Sequence, residues 1–238
     1  APHHSVSYAG LVGGGSPLRP GEISLAHHGV LFLDELPEFR RDVVEVLRQP
    51  LEDGAVTLVR AEGAVCFPAR FILVAAMNPC PCGRLGDGSD RCLCDTASVA
   101  RYRRRVSGPL LDRIDLTVET PAPRGASLRG RGGEASRPVS DRVRAARARQ
   151  RARFAGIEGV HANGQMTRAL LDRACPLTRR AGRLLAEPAQ RGRGPLRGRD
   201  RVLRVARTIA DLAGRERLDE THVAEALQYR KEASAGTP

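Results

Sequence analysis

Two segments of this chain are continuously apolar, and each ends on polar residues. Residues 29–35 read GVLFLDE and residues 71–78 read FILVAAMN, so Asp34, Glu35 and Asn78 follow the apolar runs. Strands that are apolar at every position, rather than at alternate ones, are typical of parallel sheets covered on both faces. The polar residues then meet at the carboxyl edge of the sheet, where the sites of α/β proteins form. We therefore predict a mainly parallel α/β fold with a site at that edge.

The residues around these segments predict further helices and strands. Residues 40–54 carry apolar side chains at helical spacing and end on a glycine, which predicts one helix. Residues 55–69 contain two β-rich runs around AEG, which predicts a hairpin. Residues 113–120, RIDLTVET, predict a third strand of the sheet.

The chain changes character after the predicted third strand. Residues 122–138 are rich in Pro, Gly, Ser and Arg, and we predict that they form a linker. The chain is thereby divided into an α/β part (residues 1–121), this linker, and an all-helical part (residues 139–238). In the helical part, Ser140 and Asp219 are predicted N-caps. One helix ending at residue 214 is predicted to bury a single apolar face, made of Val202, Val205, Ala206, Ile209 and Leu212.

Adjacent carboxylates at the end of an apolar strand have a known chemical use. In P-loop ATPases an Asp at this position holds Mg²⁺, and the Glu that follows orients and deprotonates the attacking water. Asp34 and Glu35 fit that pattern. The alternative is that the strand simply reaches a turn, where Asp34 caps the next helix. Asn78 favours the first interpretation, because it ends the second apolar strand at an equivalent edge, as a residue that senses water or the γ-phosphate would.

The positive charge of the chain is unevenly distributed. The net charge is +12, and arginine supplies nearly all of it because Lys231 is the single lysine. From Arg101 to Arg153 there are 15 arginines and five acidic residues. Such a stretch favours an anionic partner, either nucleotide phosphates or a nucleic-acid backbone. A GC-rich genome, which encodes Arg in place of Lys, is the alternative explanation of the overall excess.

Four of the six cysteines form two C-x-C pairs within 15 residues. They lie in a loop rich in Gly and Asp, and their thiolates could converge on one tetrahedral Zn²⁺. A redox loop and a set of reduced thiols without metal are the alternatives. The four residues are Cys80, Cys82, Cys92 and Cys94. The histidine pairs at residues 3–4 and 27–28 have no carboxylate at ligand spacing, so we assign them structural roles.

The sequence contains no apolar run near the roughly 20 residues of a membrane span. Its first residues, APHHSVSYAG, lack the basic and apolar regions of a secretion signal. We expect a cytoplasmic protein without a membrane partner. The abrupt start also predicts a chain cut from a longer protein.

Six motifs follow one another along nearly the whole chain. They are residues 1–39, RQPLEDG (48–54), FPARFILVAAMNPCPCG (67–83), RYRRRVSGPLLDRIDL (101–116), RVLRVARTIADLAG (201–214) and HVAEALQYR (222–230). This combination resembles the AAA+ ATPases of the magnesium-chelatase-like family, and within it the ComM/YifB group. The resemblance implies a partial AAA+ core followed by a helical lid, with ATP and Mg²⁺ as cofactors.

The resemblance also implies roles for particular residues. Residues 11–22, LVGGGSPLRPGE, resemble the insert that breaks helix 2 in this clade, and residues 56–69 resemble its pre-sensor hairpin, which points toward the central channel in related ring motors. The site residues it implies are Asp34 and Glu35 as Walker B, Asn78 as sensor 1, Arg113 as the arginine finger and Arg197 as the sensor 2 arginine of the lid.

One departure from the family pattern is large. A P-loop requires G-x-x-x-x-G-K-[ST], and the single lysine, Lys231, lies outside any such context. We therefore expect this chain to be the carboxy-terminal half of a ComM/YifB-like protein and to be inactive as an ATPase by itself.

The resemblance implies a hexameric ATP-driven motor acting on DNA, for example in branch migration during recombination or natural transformation. Two alternatives stay open at this point. The first is a chelatase or chaperone subunit that remodels a protein partner, although the cysteine loop favours the DNA motor. The second is a decayed product without activity of its own.

Overall fold

A computed structural model describes residues 1–60, 63–120, 133–190 and 196–234. The side chains of residues 187–190, 196–197 and 231–234 lie outside the described part. The chain forms two compact units, Ala1–Ile114 and Asp115–Pro238. The first contains strands and helices and the second is helical, so the predicted α/β core followed by an all-helical region is confirmed.

The first unit begins with two short helices separated by a small ribbon. Its elements are α1 (Tyr8–Val12), β1 (Gly13–Gly14), β2 (Arg19–Pro20), α2 (Glu22–Leu25), β3 (Val30–Leu33), a 3-10 turn (Leu36–Glu38), α3 (Arg41–Glu45), α4 (Arg48–Asp53), β4 (Ala55–Arg60), β5 (Gly63–Pro68), β6 (Ile72–Ala75), α5 (Thr96–Arg103) and α6 (Gly108–Leu111). The antiparallel β1–β2 ribbon lies within the glycine-rich segment that resembles a helix insert.

The two continuously apolar segments form the parallel pair β3–β6, in the register Val30↔Ile72 to Leu33↔Ala75. One face of this pair packs into the core of the unit, where Leu31 and Leu33 are almost fully buried. The other face is exposed, and Val30, Phe32, Ile72 and Val74 keep 36–65% of their surface accessible. The prediction that both faces are covered is therefore wrong for the described residues. A strand that is apolar at every position can be buried on both faces, but only where another element packs on the second face.

Leucine, isoleucine, valine and phenylalanine side chains from nearly every element meet in the core of the first unit. The core residues include Leu11, Val12, Ile23, Leu31, Leu33, Leu36, Phe39, Val43, Leu47, Val56 and Leu110. This core fixes the ends of β3 and β6, because Leu36 follows Glu35 directly and is buried. The carboxyl ends of β3 and β6 are therefore held in place by packed core residues, although the polar residues that follow the two strands are exposed.

The predicted hairpin is present as the antiparallel pair β4–β5, from Ala55↔Pro68 to Arg60↔Gly63. Its turn, residues 61–62, lies outside the described residues. The predicted single helix over residues 40–54 is broken into α3 and α4. Pro50 explains the break, because it has no N–H to bond the carbonyl of Val46 and its ring clashes with that carbonyl.

The predicted third strand is wrong. Residues 114–120 form no strand, and the N–H of Thr117 donates to the carbonyl of Tyr229 (3.1 Å), at the end of a helix. The segment has β-forming residues, but among the described residues no strand lies beside it to complete a ladder.

The second unit is built from α7 (Ser136–Arg153), a 3-10 turn (Asn163–Gln165), α8 (Arg168–Ala174), α9 (Arg179–Gln190), α10 (Leu196–Leu212) and α11 (Glu220–Ser234). Residues 122–132 of the predicted linker lie outside the described residues. The predicted cap at Ser140 is wrong, because α7 already begins at Ser136. Pro138 falls in the first turn, where the N–H that proline lacks would have no partner anyway.

The N-cap predicted at Asp219 is confirmed, since its Oδ1 accepts the backbone N–H groups of Thr221 (3.0 Å) and His222 (3.2 Å). The apolar face predicted for α10 is shifted, because Leu212 is 44% exposed whereas Leu203 and Ala210 are buried. Among the described helices, none is both long and apolar enough to cross a bilayer.

Candidate functional site

The carboxyl ends of β3 and β6 bring three of the predicted site residues to one edge. Beyond the ladder the two chains stay tied, since Ala76 N–H donates to Leu33 O and Leu36 N–H donates to Ala76 O, both at 2.9 Å. Asp34, Glu35 and Asn78 emerge on either side of these bonds, and all three are exposed. The edge thus offers two carboxylates and one carboxamide to a ligand.

Asp34 and Glu35 are held by the backbone between them. Asp34 Oδ1 accepts the N–H of Glu35 at 2.9 Å. Glu35 has φ 52° and ψ 46°, the left-handed conformation that residues other than glycine adopt rarely. Such backbone strain is concentrated at functional sites, where the surrounding structure over-determines it. Asp34 does not cap a helix here, because its oxygen is used within the turn and the following 3-10 turn has no side-chain cap.

His4 contacts the second carboxylate. Its Nδ1 lies 3.6 Å from Glu35 Oε2, and its ring packs edge-on to Phe39 with a centroid distance of 6.3 Å. Sequence analysis assigned this histidine a structural role and missed its contact with Glu35. The distance along the chain hid it, since nothing in the local pattern links residue 4 to residue 35.

Tyr102 of α5 and Arg105, which lies two residues beyond the end of that helix, also contact this edge, and sequence analysis missed both. Tyr102 is buried, and burial raises the pKa of its phenol. The charge of Glu38 raises this pKa further, whereas a hydrogen bond from the backbone N–H of Asn78 lowers it. Arg105 donates through Nη1 to Glu38 Oε2 (2.8 Å) and to the carbonyl of Pro37 (3.3 Å). These contacts join α5 to the turn that follows Glu35.

Arg113 is ordered by a partner of its own. Its Nη2 lies 2.5 Å from Glu52 Oε1, and its Nη1 donates to the carbonyl of Pro109 at 2.6 Å. The side chain is only 14% exposed. None of its contacts within the described residues joins it to Asp34 or Glu35, so the structure does not bring Arg113 into the carboxylate cluster.

For Arg197 the structure gives only the position of the backbone, whereas Arg60 lies at the surface. Arg197 lies in the first turn of α10, and its side chain is outside the described part of the structure. Arg60 ends β4 and is exposed, as is its neighbour Val59 at 77%. The outer half of the β4–β5 hairpin therefore projects into solvent.

The four clustered cysteines converge, as their spacing predicted. Their sulfurs all lie within 4.8 Å of one another, with 3.4 Å between Cys80 and Cys82 and 3.7–3.8 Å from these two to Cys92. Burial opposes ionisation of Cys80, but hydrogen bonds from the Leu85 N–H and from its neighbouring thiols outweigh burial and lower its pKa to about 6. A hydrogen bond from the Cys82 N–H lowers the pKa of the Cys94 thiol. The neighbouring thiols together outweigh this effect and raise that pKa to about 12. The first negative charge in the cluster thus discourages the next.

The residues at the β3–β6 edge fit one part of a Mg²⁺–nucleotide site. Asp34 keeps its Oδ2 without a hydrogen bond among the described residues, so it can serve as a metal ligand directly or through water. The 238 residues contain no G-x-x-x-x-G-K-[ST] motif to cradle phosphates. The edge therefore offers carboxylates whose chemistry suits a metal ligand and a base, and the 238 residues contain no phosphate-binding motif beside them.

Comparison with known proteins gives consistent matches over nearly the whole chain. The family model for "Magnesium chelatase, subunit ChlI" matches residues 1–128, and the model for the ChlI C-terminal region matches residues 133–230. Competence protein ComM of Haemophilus influenzae is 44% identical over 232 residues, which are 97% of this chain and 44% of ComM. The uncharacterized protein YifB of Escherichia coli is 43% identical over 97% of this chain and 44% of its own length.

More distant relatives match a smaller part. The magnesium-chelatase subunit ChlI of Euglena gracilis is 36% identical over 66 residues, 28% of this chain and 19% of that protein. The chain spans less than half the length of ComM and YifB.

Proposed function

Because this chain belongs to the magnesium chelatase subunit ChlI family, we propose that it forms part of an ATP-hydrolysing ring motor. The observation that carries the proposal is the β3–β6 edge. There two exposed carboxylates follow one parallel strand and a carboxamide follows its neighbour, with Glu35 held in a strained backbone conformation. This is the arrangement that Mg²⁺-dependent attack of water on a phosphoryl group requires.

Each residue at the edge has a proposed task. Asp34 holds Mg²⁺, directly or through a water molecule. Glu35 orients the attacking water and accepts its proton, and the nearby imidazole of His4 limits where the carboxylate points. Asn78 donates from its carboxamide to the water or to the terminal phosphate. Mg²⁺-bound ATP supplies the phosphoryl group that is transferred.

Two arginines are proposed to contact nucleotide phosphates. Arg113 offers its guanidinium to the nucleotide of a neighbouring subunit in a homo-oligomeric ring, which we propose to be a hexamer. Glu52 and the Pro109 carbonyl fix the orientation of that guanidinium. Arg197, on the helical unit, is proposed as the sensor 2 arginine. The phosphate-binding loop would come from residues outside these 238, in a full-length protein.

DNA is the proposed partner of the ring, in a branch-migration role during recombination or natural transformation. The projecting end of the β4–β5 hairpin supports this, because Arg60 and Val59 are exposed where no core requires them. A ring motor grips phosphates rather than reading bases, so binding is expected to tolerate any sequence and to weaken with salt.

The second candidate function is remodelling of a protein partner by a chelatase-type or chaperone-type subunit. Its support is the 36% identity to a magnesium-chelatase ChlI subunit, which covers 28% of the chain. The two functions predict the same ATP chemistry and differ in whether the hairpin binds DNA.

DNA affinity across a salt series separates the two functions. In full-length protein, Arg60→Ala should weaken binding evenly across sequences and lower the salt slope by about one unit. Arg40→Ala is the matched control, because Arg40 is exposed in the same unit and paired with Asp42, and it should leave the slope unchanged. If the wild type does not bind DNA even at low salt, or Arg60→Ala binds as the wild type does, the protein-remodelling function is favoured instead.

A further inference from the structure

We propose that Cys80, Cys82, Cys92 and Cys94 hold one structural Zn²⁺ ion. Four thiolates around zinc at about 2.3 Å form a tetrahedron with edges of about 3.8 Å. The three sulfur separations among Cys80, Cys82 and Cys92 are 3.4, 3.7 and 3.8 Å, and all four sulfurs lie within 4.8 Å of one another. The four thiols are thus spaced as the ligands of one tetrahedral metal ion are.

The same distances argue against disulfides. A disulfide joins its sulfurs at about 2.05 Å, whereas all six cysteines of the chain are free thiols. A bound Zn²⁺ neutralises two thiolate charges, and all-sulfur sets of four ligands are a common composition of structural zinc sites.

The loop that carries the cysteines has little else to hold it together. Residues 76–95, between β6 and α5, form turns and bends without a helix or strand. Its leucines do not supply a core, because Leu85 is 38% exposed and Leu93 is 94% exposed. The backbone turns between the first two ligands and the rest of the loop at Gly83, which has a positive φ of 76°. The N–H of Gly83 donates to the Cys80 carbonyl at 3.0 Å.

The position of the loop gives the metal a structural task. Cys80 lies two residues after Asn78, and a Cβ built on Gly83 would lie 3.8 Å from the Asn78 side chain. At the other end Cys94 precedes Asp95, whose Oδ1 caps α5 by accepting the Ser98 N–H at 2.6 Å. Zinc would therefore join the end of β6 to the start of α5 and close the loop against Asn78.

Metal content tests the site directly and does not depend on ATP or DNA. The 238-residue chain, purified under reducing conditions without chelators, should carry about one zinc per molecule. Titration with a thiol-modifying mercurial should release that zinc as four thiols react. Reconstitution with Co²⁺ should give the intense visible bands of tetrahedral thiolate coordination.

Variants identify the ligands. Cys82→Ser should lose the zinc, whereas Cys66→Ser should retain it, because Cys66 is an exposed cysteine on β5 outside the cluster. Circular dichroism of both variants controls for folding, and the wild-type metal content decides the question if Cys82→Ser does not fold. Zinc near zero in reduced wild type that also takes up no added Zn²⁺ or Co²⁺ would overturn the proposal, as would stoichiometric iron or retention of zinc by Cys82→Ser.

Discussion

Asp211 in the helical unit and the pair Asp34 and Glu35 in the α/β unit lie in opposite environments. In the helical unit the side chain of Asp211 is completely buried, and its Oδ2 accepts hydrogen bonds from Arg153 and Asn163 at 2.8 Å each. Arg207, 1% exposed, lies 3.2 Å from its other oxygen. In the α/β unit Asp34 and Glu35 are exposed, and their contacts among the described residues are the Glu35 N–H and His4.

From this difference we expect a stabilising role for Asp211 and a chemical role for Asp34 and Glu35. A buried ion loses several kcal/mol of hydration, so each charge in the helical unit needs its partners. Burial indeed lowers the pKa of Arg207, although Asp211 acts in the opposite direction. An exposed carboxylate has no such requirement, and its substitution usually changes stability by less than about 0.5 kcal/mol. Loss of activity without loss of stability is therefore the signature expected at the β3–β6 edge.

Arg113 should give the largest effect. In full-length protein Arg113→Ala should lower ATP turnover by roughly 10³ or more, because an arginine finger stabilises charge on the transferred phosphoryl group. Mixing this variant with Glu35→Gln should restore part of the activity, since mixed rings contain intact interfaces. Glu52→Gln should lower turnover less than Arg113→Ala does, because it removes the ion pair that orients the guanidinium but keeps the guanidinium itself. Absence of recovery in assembled mixed rings would count against a role in the neighbouring subunit.

Asp211→Asn should give the largest loss of stability. The substitution leaves Arg207 and Arg153 without a countercharge, and breaking a buried pair in this way costs about 3–5 kcal/mol. Denaturant unfolding of the 238-residue chain measures it. Asp141→Asn is the matched control, because Asp141 lies on the exposed face of α7 and its nearest partner, Arg144, is 4.0 Å away. Equal stability of the two variants would contradict the structural role given to the buried network.

Asp219→Ala should have the smallest effect, about 1 kcal/mol, because it removes the N-cap of α11. A hydrogen bond from Thr221 lowers the pKa of Asp219 in the folded chain. Its ionised form therefore stabilises the fold above the unfolded pKa of about 3.9, and this contribution is lost as the pH falls through the folded pKa. The stability difference between wild type and Asp219→Ala should shrink on acidification. A difference that grows on acidification would contradict the cap.

Sequence analysis predicted well where local pattern and structure coincide. The apolar runs fixed β3 and β6, and with them the shared edge of Asp34, Glu35 and Asn78. The cysteine spacing predicted a convergence that the sulfur distances bear out. In these cases the information lies within a few residues of the feature itself.

The wrong or missed predictions concern features that depend on contacts between residues distant in the sequence. Residues 113–120 have β propensity, but Thr117 pairs with the end of α11 rather than with a strand. Asp211 drew no prediction from the sequence, because its partner Arg153 lies 58 residues earlier. His4 and Glu35 are linked in the same way. Pairings of this kind follow from tertiary packing, which periodicity and propensity do not encode.

Paired measurements of activity and stability on Glu35→Gln in full-length protein decide the claim that the β3–β6 edge hydrolyses ATP. We expect turnover to fall by about 10²–10⁴, the range for loss of a general base, while nucleotide still binds. The free energy of unfolding should stay within about 0.5 kcal/mol of the wild type. Turnover equal to that of the wild type, or a loss of turnover accompanied by destabilisation as large as that of Asp211→Asn, would contradict the claim.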